Sequence, residues 1–448
     1  MSDSTTPTFP SRRRFMGVAA GALAAGSLSQ FAFADTNQSI TEVAPASGGD
    51  KTAIRPLRIH VPESQLVDLR RRIKATRWPD RETVDDDTQG VPLAMMQELA
   101  RHWSTDYDWR KCEAKLNALP NFVTEIDGLD IHFIHVRSKH ENAMPLIVTH
   151  GWPGSVIEQL KIIDPLANPT AHGASASDAF HLVIPSLPGY GFSARPTTTG
   201  WGPERTARAW VVLMKRLGYE KFASQGGDLG AIVSNVMAKQ APPELLGIHV
   251  NLPGTIPPEI LKALADNSPP PANLTDDERH AYEQLRGLSK RRAYAQEQGT
   301  RPQTLYSLAD SPVALASWLM DHPDGNGQPA AAVTSAVTGK GSFAGDLTRD
   351  DVLDDITLYW LTNTGVSAAR FYWEFGFNPY AAADVSVPAA VSAFRGENYQ
   401  APRSWSERAY RHLIYYNRPE KGGHFAAWEQ PQIFAEEVRA GLRPLRNT

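Results

Sequence analysis

The run Gln225-Gly226-Gly227-Asp228-Leu229-Gly230 constrains this chain more than any other feature. It stands between a short strand-like stretch over 221–224 and a helical pattern over 229–240. Small-x-Asp-x-small at a strand-to-helix turn is a nucleophile elbow. The small residues permit a tight turn, which thrusts the middle side chain outward. Taken alone, the same residues also suit a Gly-rich turn with Asp228 as a helix N-cap. No Gly-x-Ser-x-Gly occurs anywhere in the chain, which counts against an ordinary esterase or lipase.

The surrounding pattern suits an elbow. Leu57, Ile59 and Val61 alternate as in a short strand, and Leu66, Leu69 and Ile73 recur at helical spacing among arginines. A second helical pattern covers 93–103. Strands are then expected over 129–136, 146–149, 181–184 and 248–252, with helices over 206–217 and 229–240 between them. Such alternation predicts an α/β fold with a mostly parallel sheet. From 254 to about 380 the chain reads as helical, broken by Ser268-Pro269-Pro270-Pro271 and a Gly-rich stretch over 323–345. Strand signals resume over 387–394 and 413–416, and a last helix is expected over 431–442. A helical block between two sets of sheet elements predicts a cap inserted after the sixth strand.

The N-terminus reads differently. Ser11-Arg12-Arg13-Arg14-Phe15-Met16 precedes a Gly/Ala-rich run over 17–32, which ends at Ala32-Phe33-Ala34. A positive start, an apolar middle and an Ala-x-Ala end predict an export signal over 1–34. The paired arginines followed by Phe make it look like a twin-arginine signal. The run is too short and too rich in Gly and Ser for a good membrane span. The expectation is a periplasmic or secreted protein without stable membrane insertion once the signal is removed. Residues 35–52 read as a flexible lead-in.

Composition narrows the classes further. With 42% hydrophobic and 21% charged residues, disorder is excluded for the bulk of the chain. A net charge of −4 offers no general electrostatic reason to bind nucleic acid. Cys112 is the single cysteine, so an intramolecular disulfide is impossible and a cysteine-based zinc site is not expected. No signal in the sequence decides between a monomer and a dimer.

Two further segments carry chemistry. His150-Gly151-Trp152-Pro153-Gly154-Ser155 follows an apolar strand, where an α/β-hydrolase supplies one main-chain N–H of its oxyanion hole. That donor is expected from Trp152, and the second from Leu229, directly after the nucleophile. Gly422-Gly423-His424 lies between the last strand and the last helix, the position of the general base. The acid that orients the base should follow the preceding strand, where Glu397 stands; Glu374 is its nearest rival.

A carboxylate nucleophile suits displacement at saturated carbon, forming an alkyl ester that His424-activated water then hydrolyses. Two substrate classes fit. An epoxide leaves as an alkoxide and needs an acid opposite the nucleophile, for which a phenol with a pKa of about 10 is well suited. A halide leaves as a stable anion and needs only N–H donors. Neither route requires a metal or an organic cofactor.

Over nearly all of the chain beyond residue 52 the sequence resembles the microsomal-type epoxide hydrolases, including their juvenile hormone branch. The resemblance is carried by Arg58-Ile59-His60-Val61-Pro62, Thr76-Arg77-Trp78-Pro79-Asp80 and His150-Gly151-Trp152-Pro153-Gly154-Ser155. It continues through Pro185-Ser186-Leu187-Pro188-Gly189-Tyr190-Gly191-Phe192-Ser193, the Asp228 elbow and the His424 segment. It implies an α/β-hydrolase fold with an N-terminal meander domain, placed with the first strands over 53–140. Core segments are then expected over 141–253 and 381–448, with the cap over 254–380. It further implies Asp228 as nucleophile, Glu397 as acid and His424 as base. Tyr372, in Arg370-Phe371-Tyr372-Trp373-Glu374, and Tyr294, before Gln298-Gly299-Thr300-Arg301-Pro302, match the family's two cap tyrosines. The implied partners are a small apolar epoxide and water.

Two positions depart from that family. Leu229 stands where an aromatic is usual, and Arg395-Gly396 precedes Glu397 in place of a proline-containing turn. Haloalkane dehalogenation is the rival chemistry, weakened because Leu229 replaces the Trp that often follows a dehalogenase nucleophile. A non-catalytic binding protein on a hydrolase scaffold is the third reading, set against the filling of every catalytic position.

Overall fold

A computed structural model describes residues 39–45, 49–375, 378 and 380–447. The expected export signal, residues 1–34, lies outside the described residues. Ten strands among the described residues form one sheet. They are β1 (Thr41–Val43), β2 (Arg55–Ile59), β3 (Asn121–Ile126), β4 (Leu129–Val136) and β5 (Met144–Thr149). The rest are β6 (Phe180–Pro185), β7 (Phe222–Gly226), β8 (Leu245–Val250), β9 (Ala389–Ser392) and β10 (Leu413–Asn417). Their order is β1-β2-β3-β4-β6-β5-β7-β8-β9-β10.

Pairing is antiparallel from β1 to β4 and between β4 and β6, and parallel from β6 through β10. The parallel strands carry near-continuous apolar runs because both sheet faces are covered. In β5, for example, Leu146, Ile147 and Val148 are all fully buried. Helices Asp228–Gln240 and Pro431–Leu442 pack directly on the central strands. This is the expected α/β-hydrolase architecture.

Adjacent β5 and β7 run in register, with Thr149 opposite Gly226. The loops that leave their carboxyl ends therefore emerge side by side, and such an edge is where α/β sheets bind ligands. Between β8 and β9 the chain forms a helical block from Pro258–Ala265 to Gly365–Trp373. The six strands expected before it are β2, β4, β5, β6, β7 and β8, so the insertion follows the sixth expected strand, which β1 and β3 make the eighth of the sheet. The N-terminal helices Glu63–Lys74, Leu93–Thr105 and Trp109–Asn117 come before the core strands. They reach the cap through Trp103, whose Nε1 donates to Thr357 Oγ1 at 2.9 Å, and Tyr107, whose hydroxyl donates to Asp354 Oδ1 at 2.8 Å.

Two elements differ from the sequence reading. Within the stretch expected to be a flexible lead-in, Thr41–Val43 pairs with β2. Main-chain hydrogen bonds, such as His60 N–H to Ile40 C=O at 2.9 Å, hold it without an apolar sequence pattern. Strand β3 was not expected because Asn121 and Thr124 interrupt its pattern, yet both are buried with hydrogen-bond partners. No helix among the described residues is long and apolar enough to cross a membrane.

Candidate active site

The elbow is built by backbone pressed on backbone. A Cβ on Gly226 would lie 2.1 Å from the Gly230 carbonyl carbon, and one on Gly230 would lie 1.9 Å from Thr149 O. Only glycine permits that approach. Asp228 between them has φ +46°, a left-handed conformation that a non-glycine residue adopts at a cost and typically at functional sites. Gly227 occupies the N-cap position and Asp228 is the first helical residue, so Asp228 is not the N-cap.

Its carboxylate points instead at the loop after β5. Trp152 N–H donates to Asp228 Oδ1 at 2.8 Å. A side chain at Gly151 would collide with Asp228, since its Cβ would stand 2.4 Å from the Asp228 Cβ. Leu229, the other expected donor, sits in the first turn of the helix, where main-chain N–H groups have no partner within the helix. Burial raises the Asp228 pKa, but the His424 hydrogen bond and charge and the Trp152 N–H outweigh it and hold it below the usual value. The nucleophile is thus kept ionised.

His424 faces Asp228 from the loop after β10, with Nε2 3.4 Å from Asp228 Oδ2. Its Nδ1 lies 2.6 Å from Glu397 Oε1. Glu397 Oε1 also accepts from Asn398 N–H at 2.7 Å, which fixes the carboxylate. Burial disfavours the imidazolium, yet the charges and hydrogen bonds of Glu397 and Asp228 push the His424 pKa well above its ordinary value. The resting site is therefore an imidazolium between two carboxylates.

Main-chain contacts set these loops against each other. Gly396 N–H donates to Gly422 C=O at 3.0 Å, and Gly396 and Gly423 form a β-bridge. A side chain at Gly396 would meet Asn326 Nδ2 at 2.8 Å and Gly423 Cα at 3.0 Å. Here the Arg395-Gly396 departure acquires its physical reason: glycine lets the acid loop lie directly on the base loop. Glu429 grips the base loop from beneath, accepting from Gly423 N–H at 2.7 Å and Phe425 N–H at 3.0 Å on either side of His424. The rival acid, Glu374, instead accepts from Gly200 N–H at 2.9 Å, in a separate loop contact.

The cap contributes both expected tyrosines. The Tyr294 ring stacks on Trp152 at 4.9 Å between centroids, and Tyr372 meets the same indole edge-on at 5.9 Å. The two phenols lie 6.2 Å apart. Burial first, then neighbouring charge including Asp228, raises both pKa values well above the ordinary value. Both therefore stay protonated as hydrogen-bond donors at neutral pH.

One residue escaped the sequence reading. His322 follows the cap helix Pro312–Met320 and is buried, its ring 4.6 Å from that of His424 and 5.0 Å from that of Tyr294. Nothing local to Asp321-His322-Pro323 distinguishes it from the other histidines in the sequence. One ligand atom each of Asp228, His322 and His424 lies within 4.8 Å of the others, the one such metal-capable group among the described residues. The charged state of His424 works against a cation there. Burial foremost, and the charge of His424 next, hold the His322 pKa well below its ordinary value, so His322 itself is neutral.

Residues 54–159 match the family model "Epoxide hydrolase N terminus", and residues 144–309 match "alpha/beta hydrolase fold". A protein of Stigmatella aurantiaca provisionally named an epoxide hydrolase is 48% identical over 88% of this chain and 86% of its own. Epoxide hydrolase 1 of Sus scrofa is 32% identical over 88% of this chain and 89% of its own. Among solved structures, juvenile hormone epoxide hydrolase from the silkworm Bombyx mori has a TM-score of 0.77 at 28% identity. That match covers 90% of this chain and 96% of the silkworm chain. The epoxide hydrolase of Aspergillus niger gives 0.73 at 27% identity, covering 90% and 99%.

Proposed function

The chain belongs to the epoxide hydrolase family, and we propose that it converts epoxides to vicinal diols through an ester on Asp228. The observation that carries this reading is the placement of two buried phenols on Trp152, whose N–H holds the Asp228 carboxylate. In the first step an Asp228 oxygen attacks an epoxide carbon and the C–O bond breaks. Tyr294 and Tyr372 donate hydrogen bonds to the departing oxygen, and the alkoxide takes up a proton there.

Ester formation removes the negative charge of Asp228. One of the causes that raise the His424 pKa disappears with it, so the imidazolium becomes a stronger acid and gives up its proton, which supplies the one the alkoxide takes up and leaves His424 neutral. Neutral His424 then takes a proton from water, whose oxygen attacks the ester carbonyl. Main-chain N–H groups of Trp152 and Leu229 stabilise the resulting oxyanion. Collapse expels the diol oxygen, which takes the proton from His424, and the carboxylic acid left on Asp228 then passes the second water proton to His424, which restores the carboxylate and the imidazolium. Glu397 holds the ring and its charge throughout.

A halide would use the same triad, but it has no call for two phenolic acids. Hydrolysis of styrene oxide and aliphatic epoxide panels, run beside Asp228→Asn and a bromoalkane panel, separates the readings. Diol formation lost in Asp228→Asn supports the epoxide route. Halide release without diol would replace it with dehalogenation, and silence on both panels would favour a binding scaffold.

The export signal belongs to the same proposal. It rests on Arg12-Arg13-Arg14-Phe15 and the Ala32-Phe33-Ala34 end. N-terminal sequencing of the exported protein should begin at Asp35; recovery of intact Met1 in the cytoplasm would refute it.

A further inference from the structure

We propose that His322 is a catalytic residue of the second step, accepting a hydrogen bond from the hydrolytic water and aiming it at the Asp228 ester carbonyl. The inference rests on the reading of Asp228 as the ester-forming nucleophile.

Three observations converge on it. His322 is 2% exposed, yet among the described residues neither ring nitrogen has a hydrogen-bond partner of normal geometry. Buried polar groups left without partners are costly and rare, so an imidazole in that position implies a ligand that it meets. The second observation is the triangle it makes with Asp228 and His424, whose ligand atoms lie within 4.8 Å of one another. A single point about 2.8 Å from all three corners exists in such a triangle, an ordinary hydrogen-bond length for one water. That point is where the reaction needs its water, between the base nitrogen and the carboxyl carbon under attack.

The third observation concerns supply. His322 also borders a cavity of about 20 Å³, lined by Pro153, Met320, Asp355, Phe425 and Trp428 among others. That space is enough for one water. A water held there stands beside His322 and can replace the one consumed.

The division of labour follows from the charges. A water oxygen forms the new bond to the ester carbonyl carbon. One water proton goes to His424, which later passes it to the departing diol oxygen. The second O–H donates to His322 and stays on the water oxygen through the attack, so His322 gains no charge; on collapse it is the acid proton of Asp228, which passes to His424 and regenerates the resting pair. A neutral, buried imidazole suits that role, because it orients the water without competing for the proton.

Rapid-quench single-turnover kinetics with styrene oxide, read by intact-protein mass, tests the assignment in the full chain. The wild type should form the ester and then release it. In His322→Phe, ester formation should stay within about threefold of the wild type, while ester breakdown slows about 10- to 100-fold and the adduct accumulates. His322→Gln, which restores an acceptor, should recover part of the breakdown rate. Equal slowing of both steps would mark a structural role and overturn the proposal, as would unchanged breakdown. Absence of an ester in the wild type would instead strike the reading of Asp228 beneath it.

Discussion

Glu397 Oε1 lies 2.6 Å from Nδ1 of His424, and both side chains are shut away from solvent on loops joined by the Gly396–Gly423 bridge. The contact fixes which imidazole nitrogen faces Asp228 and stabilises the ring when it is charged. In Glu397→Gln, the His424 pKa should fall toward or below its ordinary value, since burial then acts with less opposition. NMR titration of the ring should show the drop. The kcat should fall by about 10³-fold or more, as for other triads whose orienting carboxylate is neutralised. A loss below tenfold would contradict the assignment.

The phenols predict a different signature. Tyr294→Phe keeps the ring stacked on Trp152 and removes only the donor, and Tyr372→Phe does the same on the edge. Each should slow ester formation by about 10²-fold, the usual effect of removing one donor from a developing oxyanion. Ester breakdown should be unaffected, and the double variant should lose ring opening almost entirely. Rapid-quench kinetics separates the two steps.

Gly230→Ala tests the elbow itself. The added Cβ would stand 1.9 Å from Thr149 O, which is main chain and has nowhere to yield. A destabilisation of about 3 kcal/mol or more is expected, in line with severe overpacking. Thermal melts should show it even where some activity survives. A Tm within a degree or two of the wild type would mean that the helix and β5 are not in this contact.

Buried acids beneath the oxyanion loop give a pH dependence of stability. Burial, with Asp355 and Asp228 as the nearest like charges, pushes Glu158 up to about 8. Asp355 is raised to about 8 by burial, opposed by the Ser155 hydroxyl that donates to it at 2.6 Å. Both carboxyls hold their protons more tightly folded than unfolded, where values near 4 apply. Their contribution is therefore fully present below pH of about 4 and is lost as pH rises through about 8. Glu158→Gln cannot ionise, so between pH 5 and 8.5 its Tm should decline less steeply than the wild type's. Parallel curves would show that Glu158 does not titrate in this window.

Much of this site could be read in the sequence because its constraints are local. Gly226, Gly227 and Gly230 announce a turn that nothing bulkier can make, and Gly422-Gly423 announces a loop that another main chain approaches. The strand over 129–136 and the helix over 431–442 coincide with β4 and Pro431–Leu442, each carrying a regular apolar period. β3 was hidden because its buried Asn121 and Thr124 break that period while satisfying their polar groups inside. His322 was hidden for a different reason. It reaches His424 only because the cap folds back over the sheet, bringing together residues a hundred positions apart. No local pattern records a contact of that kind.

Isotope labelling in a single turnover tests the Asp228 ester most directly. With enzyme in excess over styrene oxide in ¹⁸O-water, the first diol formed should contain no heavy oxygen, because its new oxygen comes from Asp228. The peptide containing Asp228 should gain one ¹⁸O, delivered when water attacks the ester carbonyl. Heavy oxygen in the first-turnover diol, with an unlabelled Asp228 peptide, would mean that water opens the epoxide directly and that Asp228 is not the nucleophile.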